Sequence, residues 1–339
     1  MNISIVTTLY KSARHLEVFY RRAVAAAEAI TDSFEIVMVD DGSPDDSLAV
    51  ACLLAKKDHR IRVVELSRNF GHHKALMTGL EYAEGDYCFL IDSDLEEDPG
   101  LLRDFYDKLT AEGGDVVEGG DVVYGYQIDR KGGLIERWAG DIAYRVFNSL
   151  FVHPIPRNHV TVRLMTRDYV NALLLHREQQ TVIGGLWVIT GFRQTGMPVN
   201  KITRENADYS LRHRWHMLLD SVTSFSEIPL VAIFYLGIFI CGLSVLVGVG
   251  IIAHKIIFKT LIEGWVSVMV SVWFLGGLLI FCVGVIGIYI SKIFIETKNR
   301  PYTIVRRVHG AALSKRLPLS AHGTENRSAE PIPMRSGHA

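Results

Sequence analysis

The amino-acid sequence predicts an α/β domain built on a parallel sheet, followed by a pair of membrane-spanning helices. Short apolar segments alternate with helical patterns over the first hundred residues, which is typical of a parallel sheet covered by helices on both faces. Two later segments, 229–253 and 264–291, contain no charged residue and exceed the roughly 20 apolar residues that cross a bilayer. Acidic residues directly follow two of the apolar segments of the α/β part.

The α/β part alternates predicted strands with predicted helices along the chain. The predicted strands are 3–9, 34–43, 61–66 and 87–92. Three predicted helices lie between them: the first ends at about residue 30, and the other two cover 47–57 and 74–84. Between 115 and 210 the pattern is looser, and we predict strands in "GGDVVYGYQ" and within 154–165 and helices at 135–150 and 167–176. In such sheets, ligands bind at the carboxyl ends of the parallel strands.

The charge-free segments predict a transmembrane hairpin, because only residues 254–263 separate them. Lys and Arg flank both outer ends of the hairpin, so both ends are expected in the cytoplasm. A preceding helix, apolar on one face, is expected to lie at the membrane surface, with a plain linker helix as the alternative. The predicted α/β domain covers residues 1–210 and the interfacial helix covers 211–227. The hairpin covers 228–291, with its two spans at about 229–253 and 264–290. A basic segment and a disordered tail cover 292–339.

Composition limits the partners and the compartment. The net charge of −1 gives no global field for nucleic acid, so no nucleic-acid partner is expected. The opening "MNISIVTTLY" is predicted to be a strand rather than a signal peptide. The four cysteines show neither disulfide nor metal spacing, which is typical of a reducing compartment.

Acidic side chains are predicted at the carboxyl ends of two strands. Asp40 and Asp41 follow the second strand, and Asp92 and Asp94 follow the fourth. Two carboxylates two residues apart could hold one Mg²⁺ or Mn²⁺ together with substrate phosphates. The alternative is a solvated loop that caps a helix starting near Pro99.

A dinucleotide site of the Rossmann type is excluded at the first turn. An acid at the end of the second strand would suit a ribose, but "TTLYKSA" contains no glycine. The backbone therefore cannot approach a pyrophosphate as the glycine-rich fingerprint requires.

Three segments of the α/β part carry a family resemblance. "VDDGSPDDS", "LSRNFGHHKALMTGL" and "IDSDLEEDP" resemble the motifs of family 2 glycosyltransferases with the GT-A fold, which is Rossmann-like. The ending "YISKIFIETKNRPYTIV" is similar to that of the polyprenyl-phosphate glycosyltransferases, and the resemblance covers about residues 3 to 308. It implies metal-dependent, inverting transfer from a nucleoside diphosphate sugar, with a UDP-sugar favoured, to undecaprenyl phosphate at the cytoplasmic face of a bacterial inner membrane. The product would be a lipid-linked sugar for cell-envelope or O-antigen modification.

The resemblance also implies roles for individual residues. The residues expected to bind the nucleotide sugar are Thr8, Asp40, Asp41, Arg68 and Asp92. The metal is expected on Asp92 and Asp94, which count as catalytic together with Arg163.

Two positions depart from the family pattern. "YKS" at 10–12 stands where relatives carry "YNE", which leaves the base of the donor open. "VTVRL" stands where many relatives carry "SDFRL", so Thr161 replaces an aspartate while Arg163 is kept. A phosphate monoester with a second pKa of about 6 is already anionic at pH 7, so its attack needs no general base.

Cations are expected to hold the lipid phosphate beside the anomeric carbon. The candidates are Arg137, Arg163, Lys201, Arg204 and Arg212, with Arg163 favoured by its motif. His72 and His73 are adjacent, so they are expected to point apart and to be supporting or surface groups rather than paired metal ligands.

Two other functions stay open at this point. A processive polysaccharide synthase is disfavoured because "QTVIGGLW" lacks the arginine of a Q-x-x-R-W motif. A non-catalytic membrane scaffold is disfavoured by the intact pair of Asp92 and Asp94. The sugar and the oligomeric state, including a homo-oligomer, stay open.

Overall fold

The computed structural model describes residues 2–111, 120–127, 158–179, 183–200 and 264–310, with isolated positions between 230 and 257. Its described strands form one eight-stranded sheet in the order β7-β5-β6-β4-β1-β2-β3-β8. The strands are β1 Ile3–Leu9, β2 Phe34–Asp40, β3 Ile61–Leu66, β4 Tyr87–Leu90, β5 Val122–Tyr126, β6 His159–Thr166, β7 Gln194–Pro198 and β8 Val305–Gly310. The helices are α1 Ala13–Glu28, α2 Ser47–Lys57, α3 His72–Tyr82, α4 Leu101–Ala111, α5 Arg167–Leu173, α6 Ile183–Ile189 and α7 Trp265–Thr297.

The half of the sheet formed by β4, β1, β2 and β3 is parallel, as predicted. β1 is buried along its whole length, because helices cover both faces of these strands. Leu9 at the end of β1 pairs with Asp40 at the end of β2. The carboxyl ends of β4, β1 and β2 therefore meet at one edge of the sheet.

The rest of the sheet is mixed rather than parallel. β6 runs antiparallel to both β4 and β5, and β8 runs antiparallel to β3. Leu90 pairs with Arg163, so β6 begins at the edge where β4 ends. β5 and β7 pair in parallel, so β6 and β8 are the two described strands that run against the others. The expectation of a parallel sheet, made for the first hundred residues, is correct for their four strands.

Two apolar layers enclose the sheet. One layer packs α1, α2 and α4 against the strands, and Phe89 meets Phe105 edge to face with ring centroids 6.0 Å apart. The other layer packs α3, α5 and α6. Each fully buried Phe or Leu contributes about 1.5–3 kcal/mol, so these layers fix the strand ends that carry the polar residues.

One helix in the described part of the chain is long and apolar enough to cross a membrane, judged by length and composition. It covers 271–297 within α7, with a mean hydropathy of 2.5 and no part buried. The described positions between 230 and 250 are also helical. The predicted hairpin remains a prediction, and the predicted helices at 135–150 and 211–227 and the tail beyond 310 lie outside the described residues.

The segment after α7 differs from the expectation of a simple basic flank. Its last six described residues form β8, which pairs with the edge strand β3. The sequence "VRRVHG" alternates too briefly, and carries too much charge, to indicate a strand by itself.

Candidate active site

The carboxyl edge of the parallel strands brings the predicted acidic residues to one place. Asp40 and Asp41 lie at the end of β2, and Asp92 and Asp94 lie just beyond β4. β1, which carries Thr8, lies between those two strands. The topology therefore supports the shared location that the sequence predicts.

The turn after β4 is anchored by the serine between its two acids. Ser93 is buried, and its hydroxyl donates to the carbonyl oxygen of Thr8 at 2.8 Å and hydrogen-bonds with the Ser12 hydroxyl at 2.9 Å. Asp94 Oδ1 accepts a hydrogen bond from the Glu96 backbone N–H at 2.9 Å. The turn is thus held to β1 through Ser93, while the flanking acids keep part of their surface exposed.

The "YKS" turn takes part in the same anchoring. Lys11 adopts φ +58°, a left-handed conformation in which Asn is favoured over Lys, and its backbone N–H donates to Ser43 Oγ at 2.8 Å. The N–H of Ser12 donates to Ser47 Oγ at 2.9 Å. Ser12, which stands where the family pattern is expected to have a glutamate, therefore has a structural role, because it joins the end of β1 to the start of α2 and to the turn after β4.

Asp41 holds a neighbouring loop. Its two carboxylate oxygens accept hydrogen bonds from the backbone N–H groups of Phe70 and Gly71, at 2.7 and 3.0 Å. Burial raises the pKa of Asp41, although these two bonds oppose the shift. Gly42 is required here, since its φ is +62° and a Cβ would lie 2.6 Å from the Asn69 nitrogen. Asp41 thus shapes the loop that carries Arg68.

Asp40 is less well compensated. It is 2% exposed, and within the described residues its Oδ1 has no hydrogen-bond partner. Burial raises its pKa to about 6, against the opposing hydrogen bonds from the backbone of Ser43 and Gly42. An ionised side chain at this place would gain from a donor supplied by a ligand.

Arg68 lies on the rim of the site. Its side chain is exposed, its guanidinium carbon stands 4.1 Å from the centroid of the Phe70 ring, and Nη1 donates to the Asn69 carbonyl oxygen at 2.9 Å. The residues that follow, from Phe70 to Lys74, line a cleft of about 240 Å³. An exposed guanidinium in the same loop as this cleft suits an anionic ligand.

His72 has a closer role than the sequence indicates. Its Nδ1 lies 3.1 Å from Thr8 Oγ1 and its Nε2 lies 3.4 Å from Asp92 Oδ1. Desolvation lowers the pKa of His72, while the charges of Asp41 and Asp94 act in the opposite direction. The signal that could have found it is its position, the first residue of a helix that begins at the carboxyl edge of the sheet.

Arg163 is inside the domain. It is 1% exposed, its guanidinium carbon lies 2.9 Å from the centroid of the Trp187 ring, and Nε donates to the Thr161 carbonyl oxygen at 3.3 Å. Burial lowers its pKa to about 9, and the neighbouring Tyr169 and Tyr124 oppose that shift. A lipid-phosphate role for Arg163 stays a prediction, and it requires the side chain to leave this packed position.

Several other predictions concern the remaining cations and the acidic turn. The described residues do not include the other candidate cations, which are Arg137, Lys201, Arg204 and Arg212. Glu97, in the acidic stretch after β4, is completely buried, and α4 begins at Leu101 rather than near Pro99.

The donor set at the acidic turn fits a hard divalent cation. Asp92 and Asp94 offer carboxylate oxygens, the ligands that Mg²⁺ and Mn²⁺ prefer. In the part of the chain that the structure describes, no group of three or more His, Cys, Asp or Glu side chains could hold a metal. Two carboxylates would therefore need substrate phosphates to complete the coordination.

Comparison with known proteins gives the family. The sequence profile named Glycosyl transferase family 2 matches residues 4–174, half of the chain. A Mycobacterium tuberculosis protein named "Putative glycosyltransferases" is 52% identical over 320 residues, which cover 94% of this chain and 92% of that protein. The SfII prophage-derived bactoprenol glucosyl transferase of Shigella flexneri is 30% identical over 312 residues, 91% of this chain and 99% of that protein.

Among solved structures, the mannosyltransferase PcManGT from Pyrobaculum calidifontis in complex with GDP-Man and Mn²⁺ is 16% identical, with a TM-score of 0.45. The alignment covers 66% of this chain and 63% of that one. The family match and the two sequence relatives confirm the resemblance seen in the motifs. The chain belongs to glycosyl transferase family 2 and is a glycosyltransferase with the GT-A fold.

Proposed function

We propose that the protein transfers a sugar from a nucleoside diphosphate sugar, a UDP-sugar in the first instance, to undecaprenyl phosphate. The reaction would take place at the cytoplasmic face of a bacterial inner membrane. It would invert the anomeric carbon and give a lipid-linked sugar for the cell envelope. The support comes from the polar edge of the sheet, from the segment that follows α7 and from the relatives.

The donor side of the proposal is supported by the residues at the ends of β1 and β2. Asp40 has a buried oxygen available for a donor group of the nucleoside, and Thr8 lies near the end of the neighbouring strand, where it pairs with Val39. Arg68 is exposed and suits the diphosphate charge. Asp41 already accepts two backbone hydrogen bonds, so we assign it to holding the Arg68 loop rather than to direct contact with the base.

Asp92 and Asp94 would hold Mg²⁺ or Mn²⁺. Such a cation, when bound, neutralises the charge that develops on the leaving diphosphate. The protein's own contribution is to hold the turn that carries the two carboxylates, through Ser93.

The acceptor side is supported by the relative named bactoprenol glucosyl transferase, which aligns over nearly its whole length. In the proposed step an oxygen of the lipid phosphate forms a bond to the anomeric carbon. The bond from that carbon to the donor diphosphate breaks, and the nucleoside diphosphate leaves with the electron pair. The nucleophile is ionised before it binds, so no side chain has to remove a proton.

The observation that carries the proposal is the return of the chain from α7 to the candidate site. The carbonyl oxygen of Ile304 accepts a hydrogen bond from the Ser67 N–H at 2.9 Å, directly before Arg68. The Thr303 hydroxyl lies 2.9 Å from that of Thr78 in α3, and β8 pairs with β3. A lipid that follows α7 in a bilayer would therefore bring its phosphate toward the nucleotide edge.

The proposal is tested with the full-length protein in nanodiscs, supplied with Mg²⁺ or Mn²⁺ and a panel of labelled sugar nucleotides. One set contains undecaprenyl phosphate, and a matched set contains undecaprenol. We expect one donor to label the lipid extract, with undecaprenyl phosphate only. Equal labelling of both lipids, or labelling of neither lipid by any donor, would contradict the proposal.

The two other functions give different products in the same assay. A processive polysaccharide synthase would release label as a polymer that the lipid extract does not contain. A non-catalytic scaffold would leave every donor intact, so that not even metal-dependent hydrolysis of a donor would be observed.

A further inference from the structure

The imidazole of His72 lies between the strand that carries Thr8 and the acidic turn that carries Asp92. Thr8 Oγ1 lies 3.1 Å from Nδ1, and Asp92 Oδ1 lies 3.4 Å from Nε2. Both ring nitrogens therefore face residues assigned to the candidate site. A histidine serving only to start a helix would have no reason to make both contacts.

The contact to Asp92 has the length of an ion pair rather than of a short hydrogen bond, since Nε2 and Oδ1 are 3.4 Å apart. An ionised carboxylate only accepts hydrogen bonds, so a proton on Nε2 is the state of the ring that suits Asp92. In a neutral imidazole of that tautomer, Nδ1 is an acceptor and the Thr8 hydroxyl donates to it. The tautomer protonated on Nε2 therefore suits both contacts of His72.

The same turn is fixed from a second direction. Thr8 accepts, through its carbonyl oxygen, the hydrogen bond of buried Ser93, which stands between the two acids. His72 itself is placed by Gly71, whose N–H is held by Asp41 at 3.0 Å. His72 therefore connects the three family motifs: Asp41 of the first motif holds the residue before it, and Asp92 of the third motif contacts its ring.

We propose that His72 is a positioning residue, which ties the Asp92 carboxylate to Thr8 and thereby holds one carboxylate oxygen in place for the metal and the donor diphosphate. This inference rests on the proposed function for its ligands. It concerns a residue whose role is to orient another residue. Loss of such an outer contact typically weakens metal binding 10- to 100-fold.

The test measures Mn²⁺ binding to the full-length protein in detergent micelles with UDP present, followed by the electron paramagnetic resonance signal of free Mn²⁺. His72→Phe keeps a flat ring but removes both nitrogens, and we expect it to raise the Kd for Mn²⁺ by 10- to 100-fold. His72→Gln keeps one N–H donor that can reach Asp92, and we expect it to recover part of the affinity. His59→Gln, at an exposed position between α2 and β3, is the matched control and should bind Mn²⁺ as the wild type does.

The contact to Thr8 is tested from its own side. Thr8→Val removes the hydroxyl with little change of shape, and Thr8→Ser keeps it. We expect Thr8→Val to weaken Mn²⁺ binding several-fold and Thr8→Ser to restore it, while Thr8→Val should add little in a protein that already carries His72→Phe. This arm decides the matter if His72→Phe fails to fold.

The outcomes separate this inference from the proposed function. Wild-type Mn²⁺ affinity in His72→Phe, or in Thr8→Val where the His72 variant does not fold, would overturn the positioning role. The proposed transfer would then be unaffected. Loss of Mn²⁺ affinity in these variants, in a protein that transfers no sugar to undecaprenyl phosphate, would retain the positioning role and reject the proposed function.

Discussion

The acids at the strand ends contrast with the acids that flank α2. Asp58, just after α2, accepts hydrogen bonds from the Tyr20 hydroxyl and from both the backbone and the guanidinium of Arg60. Partial burial acts against ionisation there, but those bonds prevail and lower the pKa of Asp58 to about 2. Asp40, at the end of β2, is more deeply buried and has fewer hydrogen bonds, and burial raises its pKa to about 6.

The difference shows which carboxylates stabilise the fold and which are held for a ligand. Asp58 is compensated inside the protein, so its negative charge contributes to stability. Asp40 is desolvated without equal compensation, so its charge costs stability until a ligand supplies the missing contact. Buried acids of the second kind belong at binding sites, which agrees with the position of Asp40 at the carboxyl edge of the sheet.

The largest effect is expected from the two acids of the turn after β4, which we assign to ligand binding rather than to the stability of the fold. Asp92→Asn or Asp94→Asn should reduce transfer by at least about 10³-fold, corresponding to about 4 kcal/mol, because the diphosphate loses its counter-ion. The melting temperature should change little, since these acids are not needed for the fold. The assay is transfer to undecaprenyl phosphate, with Asp58→Asn as the control that keeps its transfer rate. Full transfer by both variants in EDTA would contradict the assignment.

The control variant Asp58→Asn should lose stability and keep its transfer rate, the reverse of what is expected for Asp92→Asn and Asp94→Asn. Asp58→Asn should lower the free energy of unfolding by about 2–4 kcal/mol at pH 7, because it leaves the Arg60 guanidinium poorly paired. In the wild type this contribution is fully present above about pH 4 and is lost as the pH falls toward 2, since the folded-state pKa of Asp58 is depressed. Unfolding is followed in detergent micelles from pH 7 to pH 3. An unchanged stability in Asp58→Asn would mean that its hydrogen bonds contribute nothing net.

Part of this contrast could be predicted from the sequence. The strand-end location of Asp40, Asp41, Asp92 and Asp94 follows from apolar runs that alternate with helices, and the first four strands are found close to their predicted places. The degree of compensation could be predicted only in part, because Arg60 lies two residues from Asp58 whereas the other groups that compensate Asp58 and Asp41 come from distant positions. Tyr20 reaches Asp58 from α1 over 38 positions, and Phe70 reaches Asp41 over 29.

The misses have similar physical causes. α6, β7 and β8 were not predicted, because seven, five and six residues are too few for a periodic signal. The burial of Arg163 could not be predicted either, because its motif favours it as a ligand of the lipid phosphate, a role that stays a prediction, but does not show which face of the strand it lies on. The alternation of β6 turns it toward Trp187, where a guanidinium can stack on the ring.

Arg163 is a buried cation, and its variants can show whether it stabilises the fold or binds a ligand. If it moves to hold the lipid phosphate, Arg163→Met should raise the KM for undecaprenyl phosphate about 10- to 100-fold, as expected for the loss of about 1.5–3 kcal/mol of charge-assisted contact. Arg163→Lys should recover only part, because an ammonium lacks the planar fork of a guanidinium. The Met side chain is long enough to keep the packing against Trp187, so the melting temperature should fall little. A lower melting temperature with an unchanged KM would assign Arg163 to the core alone.

Replacing Asp40 is expected to change the free energy of unfolding by less than replacing Asp58 does, and in the opposite direction. Its raised pKa means that the folded protein keeps this proton longer than the unfolded chain, so stability falls as the pH rises from about 4 to 6 and the cost persists above that range. Asp40→Asn should therefore raise the free energy of unfolding by about 1–3 kcal/mol at pH 7 and flatten this pH dependence. The same variant should use the donor less well. A less stable Asp40→Asn protein at pH 7 would show that the aspartate is compensated after all.

The smallest effect is expected at Thr161, the position where many relatives carry an aspartate. Continuing the register of β4 and β6 would place Thr161 opposite Asp92, close to the reacting groups. If the nucleophile is a preformed phosphate anion, no base is needed at this position, and Thr161→Ala should keep the transfer rate within about threefold. Its carbonyl oxygen, which accepts the Arg163 Nε–H, is retained in the alanine variant. The rate of the wild type and of Thr161→Ala should rise together as the phosphate ionises near a pKa of about 6. Thr161→Asp should bring no gain, because a carboxylate beside Asp92 would repel both the donor diphosphate and the acceptor phosphate. A tenfold faster reaction in Thr161→Asp, with a new titration in its pH profile, would show that a general base assists the transfer.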